Sequence, residues 1–64
     1  MRLIDFLGRC GKNTVVHIFW DERCIIFDGN TCEEVWNKMD YHDLCNYRVQ
    51  SFEVKYNVLF IEVF

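Results

Sequence analysis

Proline is missing from this 64-residue chain, which also has only three glycines and two histidines. Without proline there is no polyproline segment and no proline-marked linker. No apolar run reaches the roughly 18 residues that span a bilayer, and no signal-peptide core follows Met1, because Asp5, Gly8, Arg9 and Lys12 break the early apolar residues. The chain therefore reads as a protein of the cytosol, with no membrane role. Lys and Arg are scattered and the net charge is −3, so no basic stripe tracks a nucleic-acid backbone. Nor is there a phosphate loop: in Gly8-Arg9-Cys10-Gly11-Lys12 the spacing is too short, and Asn13 stands where a Ser or Thr would follow the Lys.

Apolar residues, by contrast, are abundant, at 52% of the chain with 17% aromatic. A chain of this length is one domain, residues 1–64, and buries only about 60% of its unfolded surface. It carries more apolar material than a lone monomer of this size hides easily. A dense core or a partner subunit, in the simplest case a homodimer, follows as the expectation.

Leu3, Phe6, Leu7 and Cys10 recur at helical spacing, which predicts a short helix closed by Gly11. Residues 14–20 are rich in β-branched and aromatic side chains and predict a strand. Asp21-Glu22-Arg23 is a short polar loop, residues 24–27 form a second strand, and Asp28-Gly29-Asn30 stops it. Thr31-Cys32-Glu33-Glu34 has the form of a capping box opening a helix whose apolar face is Cys32, Val35, Trp36 and Met39. Residues 47–56 alternate, with Phe52, Val54 and Tyr56 on one side and Ser51, Glu53 and Lys55 on the other. A turn near Tyr56-Asn57 leads into residues 58–64, where Leu59, Ile61 and Val63 oppose Phe60, Glu62 and Phe64. The expected architecture is α+β in the order α-β-β-α-β-β: a four-stranded antiparallel sheet from two hairpins, with two short helices on one face. The other face would then carry Phe60, Phe64 and either Val15/His17/Phe19 or Val16/Ile18/Trp20. The last strand, if it lies at an edge, could accept a strand from another chain.

Candidate chemistry is sparse. His42-x-x-Cys45, flanked by Asp40 and Asp43, has a zinc-like spacing, but a second ligand pair is missing: Cys10, Cys24 and Cys32 stand apart with no C-x-x-C. A Cys45 nucleophile with His42 as base would need an orienting group and an oxyanion site. Glu33 and Glu34 are adjacent, so they diverge around a helix, and capping explains them. The reading is a non-enzyme without metal or cofactor, whose four cysteines are reduced thiols that behave as small hydrophobes. Asp28, Glu33, Glu34, Asp40 and Asp43 fall within sixteen positions against one base, Lys38. Glu33, Glu34, Asp40, Asp43, Phe60, Glu62 and Phe64 are accordingly the candidate partner-binding residues.

The Leu3-Ile4-Asp5-Phe6-Leu7 opening, the strand Val15 to Trp20, the Ile25-Ile26-Phe27-Asp28-Gly29 step into a helix and the closing Leu59-Phe60-Ile61-Glu62-Val63 together resemble the short orphan proteins of bacteriophages and mobile elements. The resemblance is one of pattern over the whole chain and transfers no catalytic residue. It implies an accessory factor acting in a bacterial cytosol by binding a larger host protein, such as a nucleic-acid-binding effector. Anti-CRISPR and other anti-defence inhibitors belong to that group. An oligomeric structural or scaffold subunit, or a small zinc or thiol protein, are the alternatives.

Overall fold

The computed structural model describes residues 1–38 and 46–64. Six elements follow in the expected order: α1 (Leu3–Leu7), β1 (Val15–Trp20), β2 (Cys24–Thr31), α2 (Cys32–Asn37), β3 (Val49–Lys55) and β4 (Val58–Val63). The strands form one four-stranded sheet in the order β2-β1-β4-β3. The fold is α+β, as the residue pattern implied.

Both hairpins are present, β1 with β2 and β3 with β4, each antiparallel. They meet along β1 and β4, and this central pair is parallel, so the sheet is mixed. The passage through α2 accounts for the direction. Thr31, at the end of β2, and Lys55, at the end of β3, both lie at the end of the sheet where Val15 pairs with Val58. The chain leaves β2 there and re-enters the sheet at the opposite end, where Val49 pairs with Val63. β2 and β3 therefore run the same way, and so do their hairpin partners. β4 is thus a central strand, which rules out strand addition at the last strand. The edges are β2 and β3.

Both helices lie on one face. Leu3 and Leu7 of α1 and Cys32 and Val35 of α2 pack on Val16, Ile18, Phe27, Leu59, Ile61 and Val63. Among the described residues the core holds no buried polar side chain. The Cα radius of gyration, 10.3 Å, is close to the roughly 10.7 Å expected of a compact 64-residue domain.

Local chemistry sets the element boundaries. α2 opens on the predicted capping box: the Glu34 amide donates to the Thr31 hydroxyl at 3.2 Å, and the Thr31 amide donates to Glu34 Oε1 at 2.8 Å. The latter bond, with the hydroxyl contact, holds the Glu34 carboxyl below its ordinary range. α1 stops at Gly8, one turn before Gly11, as the Arg9 and Cys10 amides bond three residues back to Phe6 and Leu7. Asp28-Gly29-Asn30 does not end β2. His17 pairs with Asp28 and Val16 with Asn30, so Gly29, at φ +83°, is absorbed as a bulge. Ile26 is a second extra residue, between the Ile18–Phe27 and Phe19–Ile25 pairs. The β3–β4 turn has Tyr56 and Asn57 at φ +54° and +63°, the two left-handed residues of a two-residue hairpin loop.

Candidate functional site: the uncovered sheet face

The helices leave the opposite face of the sheet bare. β1 presents Val15, His17 and Phe19 to it, since Val16 and Ile18 are buried beneath the helices. This resolves the two alternatives in favour of the Val15/His17/Phe19 row. The parallel register sets His17 beside Phe60 and Phe19 beside Glu62. The His17 ring centre lies 5.1 Å from Phe60 and 5.6 Å from Phe19, with the ring planes tilted by 45° and 48°. Such tilted contacts match the electrostatics of aromatic rings. Ile25, across from Phe19 on β2, is 60% exposed.

Polar groups surround this apolar centre. His17 Nδ1 lies 3.0 Å from Asp28 Oδ1, and a proton on that nitrogen completes a hydrogen bond. The bond fixes the imidazole plane against its two aromatic neighbours. Ser51 donates to Glu62 at 3.2 Å, and Lys55 Nζ lies 3.2 Å from Glu53 Oε1. His17, Phe19, Ile25, Phe60, Glu22 and Glu53 line a shallow depression of about 320 Å³, with Lys55 at its border. Four carboxylates, Glu22, Asp28, Glu53 and Glu62, thus face one lysine around an aromatic centre.

The predicted site residues divide between the two sides of the molecule. Phe60 and Glu62 belong to this face, with the exposed Phe64 at the end of their row, where its backbone pairs with Arg48 in both directions. Glu33 and Glu34 stand on α2, on the helix side, and Glu34 is engaged in the cap. They do not join Phe60, Glu62 and Phe64 in one site. Asp40 and Asp43 lie outside the described residues, as do Met39, His42 and Cys45. His17, Phe19 and Ile25 were not singled out as binding residues from sequence. Their alternation gave two equivalent rows, and only the helix layer distinguishes them.

On the helix side a second concavity, about 750 Å³, runs between α1 and β3 along Met1, Phe6, Arg9, Cys10, Val49 and Phe52. Phe6 and Phe52 meet there with ring centres 4.9 Å apart. Nearby, the fold brings together two thiols that are far apart in sequence. Cys10 donates to the Phe6 carbonyl at 3.3 Å and Cys32 to the Leu7 carbonyl at 3.2 Å, and the two residues line one shallow depression. Burial pushes both thiols up. Cys32, which also faces the charge that Cys10 would carry, reaches about 11. These thiols stay protonated and behave as core groups, not nucleophiles. Among the described residues no three His, Cys, Asp or Glu side chains gather as a metal site, and no helix is long and apolar enough to cross a membrane.

Comparison of the chain with protein-family models, curated proteins and solved structures gave no significant match.

Proposed function

We propose that the chain is a non-enzymatic protein-binding module that docks through its uncovered sheet face. The observation that carries this reading is the aromatic centre of His17, Phe19 and Phe60, extended by the exposed Ile25 and rimmed by four carboxylates. An apolar centre with a polar rim is the anatomy of an interface. The rim selects the partner's chemistry: an apolar prominence ringed by Lys or Arg, a surface that nucleic-acid-binding proteins commonly offer. Occlusion of such a surface on a larger bacterial effector, the anti-defence role implied by the phage-like sequence pattern, is the corresponding biological function.

The test is affinity capture from bacterial lysate with identification of the partner by mass, repeated with two variants. Ile25→Asp places a charge beside the aromatic centre, at an already exposed position across from Phe19, and binding should be lost while the circular dichroism spectrum is retained. Glu33→Lys, on the helix side, should leave capture unchanged. Equal recovery of the same partner by wild type and Ile25→Asp would remove this face from the function.

A further inference from the structure

The two sheet edges are not equivalent. β2 has two extra residues, Ile26 and Gly29, which interrupt its pairing geometry and blunt it as an edge. β3 has one irregularity, at Gln50, and residues 51–55 follow in regular register. On its outer side the first part of β3 is already occupied: the Val49 amide donates to Met1 at 2.8 Å and the Leu3 amide to Tyr47 at 2.9 Å, around the Arg2–Arg48 bridge. Beyond that point no described strand covers it.

The direction of its backbone groups follows from the pairing. Arg48 and Phe64 exchange both hydrogen bonds, which turns Arg48 toward β4. Counting across the bulge, Ser51, Glu53 and Lys55 also turn toward β4, and Phe52 and Val54 direct their N–H and C=O groups outward. The same residues carry the uncovered apolar row on the helix side, where Phe52 is 60%, Val54 69% and the adjoining Tyr56 93% exposed. Over this row the helix layer reaches only Phe52, through Phe6 of α1, and leaves Val54 and Tyr56 bare.

We propose that β3 is a dimerisation edge, at which two copies of this chain pair antiparallel through residues 52–56 about a twofold axis at Val54. Two constraints select this register. Outward backbone groups must meet outward backbone groups, which leaves only registers that match even-numbered residues. If Phe52 faced Phe52, Lys55 of the second copy would fall opposite Val49, where the Met1–Leu3 backbone already sits. If Phe52 faced Val54, two Glu53 carboxylates would meet on the axis and the second copy's turn would reach Val49. With Val54 facing Val54, each Glu53 stands opposite the second copy's Lys55, Phe52 stands beside its Tyr56 turn, and Met1 is not touched. Opposite charges directly across a strand pair stabilise it, and like charges destabilise it. The axis is perpendicular to the sheet, so the two uncovered aromatic faces become one continuous eight-stranded surface. This inference does not depend on what that surface binds.

The contact is small beside the roughly 1,600 Å² of a standard interface, so the dimer should dissociate in the micromolar range or above. Sedimentation of the full chain across concentrations up to about 1 mM tests it. Wild type should approach twice its 7.8 kDa mass. Glu53→Lys and Lys55→Glu each set like charges opposite at two symmetric places, and each should weaken association on the order of tenfold to a hundredfold. The double exchange Glu53→Lys/Lys55→Glu should restore it. Should a reversal fail to fold, Val54→Lys, a change at an exposed position, must give a folded monomer. A wild type that remains a monomer at all concentrations, single reversals that dimerise normally, a double exchange that does not recover, or a folded dimeric Val54→Lys would each overturn the proposal.

Discussion

Val54 and Val63 sit on the same side of the sheet, on adjacent strands, and in sequence each belongs to an alternating apolar row. The structure separates them: Val63 is 1% exposed beneath the helices and Val54 is 69% exposed on the overhanging edge. Valine to threonine preserves shape and β-branching, so it isolates burial from strand propensity. At Val63 the new hydroxyl enters a core that contains no buried polar side chain among the described residues. Burying a hydroxyl without a partner costs about 1–3 kcal/mol. A 64-residue domain has roughly 3–10 kcal/mol of stability in all, so Val63→Thr consumes a large share. With a urea slope of about 1 kcal/mol per molar, its unfolding midpoint should fall by roughly 1–3 M. At Val54 the hydroxyl meets water and the change should stay within about 0.5 kcal/mol. The assay is urea unfolding followed by circular dichroism, at a dilution where association through β3 does not contribute. Equal midpoint shifts for the two variants would refute the placement of the helix layer over β4 and not β3.

Two further outcomes test other parts of the fold. Gly29→Ala should destabilise by about 1–2 kcal/mol, because its φ of +83° disfavours any Cβ. The space around it is open, so the cost is one of backbone alone, and Gly29→Asn, which tolerates left-handed geometry better, should cost less in thermal unfolding. The Cys10–Cys32 pair makes stability depend on alkaline pH. Cys32 is raised from about 9 to about 11, so its favourable contribution is complete below pH 9 and is lost as pH rises toward 11. The pH slope of stability in that window should flatten in Cys32→Ala, and alkylation at pH 8 mapped by peptide mass should label the exposed Cys24 before either Cys10 or Cys32. Labelling of Cys32 as fast as Cys24 would contradict the buried pair.

Much of the local structure was legible in the chain. The capping box formed as written because Thr31 and Glu34 are three residues apart and need no distant contact. The two hairpins followed from alternation and from polar or asparagine-bearing turns, which are also local. Where the local reading went astray, a small adjustment intervened. Asp28-Gly29-Asn30 signals a stop, yet a bulge accommodates the glycine and β2 continues to Thr31. Gly11 signals a helix end, yet the helix tightens and closes at Gly8.

The surplus of apolar residues was likewise a matter of composition, and it persists: among the described residues eight large apolar side chains remain 45% or more exposed. Where that surplus would lie was not written in any one segment. The rows Phe52/Val54/Tyr56 and Leu59/Ile61/Val63 have the same period and similar hydrophobicity, and each could equally have faced the core. Nor could Cys10 and Cys32, separated by twenty-one residues, announce that they would meet.

The sequence by itself determined which segments are helices and strands, how each hairpin closes, and that apolar surface would be left over, because these depend on neighbours a few positions away and on composition. Only the tertiary structure decided that β1 and β4 run parallel, that β4 is central, and that the bare apolar row falls on β3 while the aromatic row falls on the open face. Those outcomes depend on the path through α2 and on two short helices that cover β1, β4 and Phe27 of β2 but leave the far part of β3 bare.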